Sequence, residues 1–146
     1  MKTKLILLSI ATFVSFHSFG QKKEKDKILA KKVFNVTIQG TGKKGKENKD
    51  DKVTFMNGNI SSPFITAEEK FNPFPYTVTV DSSSAPIITI SFTADGKNPE
   101  ENTIKWEGSV TDDTIEGKAV IFSKKGKVLH EYLFTGTLKE KPGTKK

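Results

Sequence analysis

Apolar side chains recur at every second position along most of this chain, and this pattern constrains the fold more than any other feature. Phe34, Val36 and Ile38 alternate with polar residues, and the same period returns around Ile90 and Trp106. A period of two places successive side chains on opposite faces of a β-strand. About eight such segments follow one another, joined mostly by short connections without a crossover helix. The sequence therefore predicts an all-β fold built as a single antiparallel meander.

Two turns in the last third of the chain set strand registers that agree with each other. A turn at 112–113 places Trp106 opposite Ala119, and a turn at 125–126 places Ala119 opposite Tyr132. Glycine inside a strand marks a bend or a close approach, and several on one face indicate strong curvature. We therefore expect an up-and-down β-barrel, with a β-sandwich as the alternative. Large residues lie beside small ones in three predicted rows: Trp106–Ala119–Tyr132, Gly108–Gly117–Phe134 and Val110–Ile115–Gly136.

Shorter signals predict the connections. Asn57 and Gly58 form a strong hairpin signal that pairs Phe55 with Ile60. Residues 40–51 are polar and are predicted to form a loop. Residues 66–69, Thr-Ala-Glu-Glu, have the form of a capping box and predict one short helical turn.

The amino terminus predicts export. Lysines precede an apolar stretch at 5–14, and small residues at 18–20 precede a cleavage point ahead of Gln21. The apolar stretch is shorter than the roughly 20 residues that a membrane-spanning helix needs. We expect a periplasmic or extracellular protein without a transmembrane span. Its predicted parts are a signal peptide (1–20), a charged lead-in (21–31), a β-barrel domain (32–140) and a lysine-rich tail (141–146).

The strand number, the mature length and the closing stretches together resemble a known group of folds. These stretches are Trp106-Glu107-Gly108 and the run 132–138, Tyr-Leu-Phe-Thr-Gly-Thr-Leu. They are similar to the calycin group of lipocalin-like, fatty-acid-binding-protein-like and avidin-like barrels. The resemblance is architectural and covers most of the mature chain. It implies a barrel whose interior holds a small apolar or amphipathic ligand.

The predicted inward face supplies the candidate ligand-binding residues. Eight-stranded barrels have interiors that are either filled by side chains or open to one small ligand. Small inward residues such as Ala119 leave space either for a ligand or for the neighbouring aromatic rings. The sequence is therefore compatible with an open interior and with a filled one. His130 is predicted on this face, opposite Ile121 and near one mouth. The candidate interior residues are Phe34, Phe55, Tyr76, Phe92, Trp106, His130, Tyr132 and Phe134.

A second candidate surface lies on the outer face of the last two strands. The same register turns Val120, Phe122, Leu129 and Leu133 outward, with Phe122 facing Leu129. Exposed apolar clusters mark contact surfaces, including surfaces of self-association. The alternative is that the lead-in folds over this cluster through Ile28 and Leu29.

The composition argues against several classes of function. All 24 basic residues are lysines, which lie mostly in loops and at the ends, and no arginine is available for bidentate base recognition. The chain has no cysteine and, after the predicted cleavage, only His130 as a histidine. We therefore expect no catalysis, no metal, no cofactor and no nucleic acid. Two hypotheses remain: a binder of a small ligand in the interior, or a solid-core interaction or envelope-associated module that acts through the outer cluster and the basic loops.

Overall fold

The computed structural model describes residues 28–42 and 48–140. The predicted signal peptide, most of the lead-in and the lysine-rich tail lie outside the described residues. Within the described ranges no helix is long and apolar enough to cross a membrane. The elements are β1 (Val33–Gly40), β2 (Asn48–Met56), β3 (Asn59–Ser61), α1 (Pro63–Glu69), β4 (Phe74–Asp81), β5 (Thr89–Lys97), β6 (Thr103–Thr111), β7 (Thr114–Phe122) and β8 (Val128–Leu138).

The eight strands form a closed antiparallel barrel. Each strand pairs with the next in chain order, and β1 pairs with β8 to complete the ring. The prediction of an all-β antiparallel meander is therefore confirmed, and the barrel is confirmed over the sandwich. Closure leaves an inner face that is apolar and an outer face that is largely polar, as a period of two requires.

The registers predicted for the three rows and for the Asn57–Gly58 hairpin are confirmed in the ladder. Phe55 pairs with Ile60 across the Asn57–Gly58 turn, Trp106 pairs with Ala119, and Ala119 pairs with Tyr132. Trp106 and Ala119 are both buried, and Tyr132 packs against the same core. The first predicted row therefore lies on one face of the sheet.

Gly117 lies in the second predicted row, Gly108–Gly117–Phe134, at a position that tolerates no larger residue. A methyl group on its Cα would overlap the carbonyl oxygen of Glu107 and would lie 2.7 Å from the ring of Phe134. Neighbouring backbones approach so closely because the sheet is strongly curved. A side chain at this position would force the strands apart.

The helix begins earlier than the sequence predicted. The cap of α1 is Ser62, whose hydroxyl accepts a hydrogen bond from the Ile65 amide at 3.1 Å, and proline occupies the first helical turn. The capping box predicted at 66–69 was wrong, because Thr66 lies inside the helix and its hydroxyl donates to a carbonyl oxygen beyond the helix end. A serine followed by proline is itself a helix start, since proline is pre-organised for the first helical position.

The loop predicted at 40–51 is shorter than expected. β2 begins at Asn48, which pairs with Gln39 of β1. The charged residues 49–52 continue this ladder although they offer no apolar alternation. Backbone pairing with β1 is enough to extend the strand, because the ladder satisfies the main-chain groups whatever the side chains are.

Candidate functional site

Aromatic rings pack against one another in the barrel interior. Phe55 lies at its centre, with ring centroids 4.9 Å from Tyr76, 5.2 Å from Phe92 and 6.0 Å from Phe34. All three contacts are edge-to-face, a geometry that aromatic pairs favour. Six of the eight predicted interior residues are buried here: Phe34, Phe55, Tyr76, Phe92, Trp106 and Phe134.

Trp106 carries a buried polar group that has no hydrogen-bond partner among the described residues. Its side chain is 1% exposed, and its ring lies 5.3 Å from Phe134 and 6.2 Å from Phe74. Among the described residues, its Nε1 is the one buried side-chain nitrogen or oxygen without a hydrogen-bond partner. Leaving a buried donor unpaired costs about 1–3 kcal/mol. The indole N–H is therefore the group that an acceptor inside the barrel would satisfy.

One mouth of the barrel is bridged by α1. The Tyr132 hydroxyl donates to the Glu69 carboxylate, and the Tyr132 ring packs edge-on against Phe64 at 5.2 Å. Burial and the neighbouring Glu69 carboxylate both raise the pKa of the Tyr132 phenol above its ordinary value, and Glu68 adds to the shift. These contacts connect the helix to β8, which lies much later in the sequence. They also hold the phenol in its neutral form.

Asn98 fixes the end of this helix. Its side-chain amide donates to the Glu69 carbonyl oxygen at 2.9 Å, and its Oδ1 accepts from the amides of Glu100 and Asn102, each at 3.0 Å. The residue is 7% exposed. Glu69 and Asn98 were both missed by the sequence analysis, because their partners lie on distant elements and no local pattern connects them.

His130 lies on the inward face of the sheet, as the sequence predicted, but it is not buried in the interior. It pairs with Ile121 as predicted, but its side chain is 56% exposed, and its Nδ1 lies 2.7 Å from Glu69 Oε1. It sits near the start of β8, at the mouth bridged by α1, where an inward-pointing side chain meets the helix and solvent instead of the core. The prediction that it lies near one mouth holds. Within the described residues no group of three or more metal-ligating side chains comes together.

The outer cluster predicted on the last two strands is present with one change of register. Leu129 and Leu133 are exposed, and Val120 and Phe122 are half-buried. Phe122 pairs with Val128, so the predicted pairing of Phe122 with Leu129 was wrong. A register shift after Ile121 causes the change, because a β-bulge gives one strand an extra residue. We call the surface of Val120, Phe122, Val128, Leu129 and Leu133 the β7–β8 face.

The lead-in does not cover this face within the described residues. Leu29 is fully buried in the core, and the amide of Lys31 donates to the Phe55 carbonyl oxygen at 2.7 Å. Phe55 lies near the end of the barrel where β8 finishes, whereas Phe122 lies where β8 begins. The alternative in which Ile28 and Leu29 shield the outer cluster is therefore wrong.

A groove of about 610 Å³ adjoins the β7–β8 face. Gly108 and Gly117 form part of its lining, and Leu133 belongs both to the groove and to the face. Its walls carry hydroxyl groups and an ion pair in which Lys118 Nζ lies 3.3 Å from Glu107 Oε1. Apolar side chains thus lie next to a depression that also carries hydroxyl groups and an ion pair, on one continuous outer surface.

No protein-family model, curated protein or solved structure matches this chain. The calycin resemblance therefore stands at the level of architecture, a closed eight-stranded antiparallel barrel. The candidate sites are defined by geometry alone: an aromatic interior with an unpaired indole N–H, a mouth bridged by α1, and the β7–β8 face with its groove.

Proposed function

We propose that this chain is an exported, non-catalytic interaction module that binds a protein partner through the β7–β8 face. The observation that carries the proposal is the exposure of three apolar side chains on the outside of a barrel whose inward aromatic rings pack against one another. Val128, Leu129 and Leu133 are 52%, 42% and 43% exposed. Apolar residues of this size on an outer sheet face favour contact with another molecule.

The surroundings of the face favour a protein as its partner. Protein interfaces combine an apolar centre with a polar rim that supplies hydrogen bonds. Here Leu133 lies between the apolar cluster and a groove that carries hydroxyls and the Glu107–Lys118 ion pair. The face therefore offers both parts of such an interface on adjacent strands.

Photo-crosslinking in cells that express the full chain tests the proposal. A photoreactive benzoylphenylalanine replaces Leu133, and a discrete crosslinked species with the mass of this chain plus a second protein is expected. Adding Leu129→Lys should abolish that species, because a lysine charge at the centre of the face opposes its desolvation.

The matched control places the same photoreactive residue at Met56, which is 44% exposed, close to the 43% of Leu133, and lies at the other end of the barrel. It should not yield the species. An identical product from both positions, or a product that persists with Leu129→Lys, contradicts the proposal. A product with the mass of two copies of this chain contradicts the proposal that the partner is a different protein.

A second candidate function is favoured by the unpaired indole N–H of Trp106. A small amphipathic ligand in the interior, accepting a hydrogen bond from Trp106 Nε1, would satisfy that donor. Native mass spectrometry of protein purified from expressing cells should then show a bound mass, and Trp106→Phe should release it. Absence of any bound mass in the unaltered protein excludes this function and leaves the β7–β8 proposal untouched.

A further inference from the structure

Among the described residues, the edge of β4 that faces β3 is paired only at its beginning. β3 is three residues long, and it pairs with β4 only at Pro75 and Phe74. The Tyr76 amide then donates to the Gly58 carbonyl oxygen at 3.3 Å, at the tip of the hairpin. β4 continues to Asp81. Residues 77–81 therefore extend beyond the neighbouring hairpin on that side.

The main-chain groups on this edge belong to Val78 and Val80. Along an antiparallel strand, the N–H and C=O groups of successive residues point to opposite neighbours. Since the Tyr76 amide points toward β3, the groups of Val78 and Val80 point the same way. No described residue pairs with them there. The edge thus offers two donors and two acceptors in one line.

Two residue types that commonly protect a strand edge, lysine and proline, are absent from residues 77–81. Proteins block exposed edges with lysine, proline or a bulge. The chain has 24 lysines, but none lies in residues 71–96, which include β4 and most of β5. Three apolar side chains of this hairpin are also exposed: Val80 at 46%, Ile87 at 52% and Ile88 at 48%.

We propose that two copies of this chain pair along residues 77–81 of β4, antiparallel about a twofold axis at Thr79. In this register Val78 of each copy exchanges both main-chain hydrogen bonds with Val80 of the other. Thr79 faces Thr79 and Asp81 faces Thr77, so no like charges oppose one another. The pairing uses a surface separate from the β7–β8 face and does not depend on that proposal.

Charge and chemistry both favour a second copy over a lipid surface as the occupant. The chain carries a net charge of +7, and two copies repel least where they meet through a segment without lysine. Lipid tails cannot accept or donate hydrogen bonds, so they would leave the groups of Val78 and Val80 unpaired. A second copy presents the complementary edge in the same geometry.

Light scattering after gel filtration tests the proposal on protein purified from cells that express the full chain. The expected mass is twice that of one chain. Val80→Lys should give the mass of a single chain, because a lysine on the edge blocks pairing. Leu133→Lys is the matched control, with a similar starting exposure but a position on a strand that is paired on both sides, and it should remain a dimer.

Hydrogen exchange provides a measurement that needs no variant. The Val78 and Val80 amides should exchange more slowly as the protein concentration rises, while amides elsewhere keep their rates. A single-chain mass at every concentration, a dimer that survives Val80→Lys, or exchange at Val80 independent of concentration overturns the proposal. So does a monomer that floats with phosphatidylglycerol vesicles and loses this binding through Val80→Lys, since that result assigns the hairpin to a lipid surface.

Discussion

At the scale of single residues, the curvature of the sheet depends on glycines, which carry no side chain. Gly117 lies in the row between Gly108 and Phe134, and its Cα faces the backbone of β6 directly. Glycine in a strand interior normally lowers stability. Here it permits the curvature that brings the rings of Phe92 and Phe134 within 6.3 Å of each other.

Gly117→Ala should therefore lower the free energy of unfolding by at least about 2 kcal/mol, because overpacking against backbone cannot be relieved by a rotamer change. Gly42→Ala is the control, since an added methyl group there meets nothing within 4 Å, and a change within about 0.5 kcal/mol is expected. Urea denaturation measures both. Equal effects of the two variants would show that the close approach at Gly117 is not limiting.

Tyr132 gives the molecule a specific response to alkaline pH. The phenol has an ordinary pKa of about 10, which burial and Glu69 raise in the folded state. Below pH 10 it is protonated in both states, so its stabilising contribution is complete there. Above this pH the unfolded chain releases the proton first, and the free energy of unfolding falls as the pH rises.

Tyr132→Phe should remove that part of the fall, as measured by urea denaturation at about pH 8 and about pH 11. Glu69→Gln keeps the phenol but removes the carboxylate, and it should give a smaller fall than the unaltered protein. The lysines contribute to the pH dependence of all three proteins, so the comparison isolates the phenol. The same fall in all three would contradict the assignment.

At the scale of elements, α1 exists because of a few contacts with distant strands. A helix of seven residues is too short to be stable alone. The Ser62 hydroxyl accepts from the Ile65 amide and donates to the Asp51 carboxylate of β2, while the Phe64 amide donates to Asp51 Oδ1 at 3.3 Å. At its other end the helix is held by Asn98. The barrel therefore supplies the partners that the helix ends need.

Ser62→Ala should lower the free energy of unfolding by about 1 kcal/mol, since it removes the cap and leaves the Ile65 amide without its acceptor. Exchange of the α1 amides should accelerate more than exchange in the strands. Ser84→Ala, in the exposed β4–β5 loop, is the control and should change neither quantity. Identical exchange of α1 in both variants would argue that the cap does not hold the helix.

At the scale of the whole molecule, the aromatic core joins strands that are not neighbours in the ladder. The Phe55 ring from β2 meets Phe34 of β1, Tyr76 of β4 and Phe92 of β5. The contact with Phe92 crosses the interior, because β2 and β5 do not pair. Such contacts make the barrel one cooperative unit.

Phe55→Ala should lower the free energy of unfolding by about 3–5 kcal/mol, a large part of the roughly 5–15 kcal/mol typical of a domain. Near-ultraviolet circular dichroism should weaken as the surrounding rings lose their fixed packing. Phe122→Ala, on the half-buried outer surface, is the control and should cost about 1 kcal/mol. A cost at Phe55 no greater than the cost at Phe122 would contradict the assignment of Phe55 to the centre of the core.

The strands and their registers could be predicted from the sequence because both depend on near neighbours along the chain. The alternation around Trp106 identifies the inward face, and the turn residues at Asn57 and Gly58 fix which residues lie opposite each other. The candidate interior was identified in the same way. His130 has the predicted inward register but is exposed, because at a strand end the alternation does not tell whether the inward side chain meets the core or solvent.

The packing of the rings inside the barrel, the position of α1 and the bulge beside Phe122 were decided by tertiary structure. The free volume inside the barrel depends on how all the inward side chains pack together, and the pattern of one strand carries no such information. Tyr132 and Glu69 are 63 positions apart, and closure of the ring is what brings them together. The sequence by itself thus determined which side of each strand is apolar, because this is a property of successive residues. Only the closed barrel decided which groups remain exposed or unpaired, because that depends on contacts between remote parts of the chain.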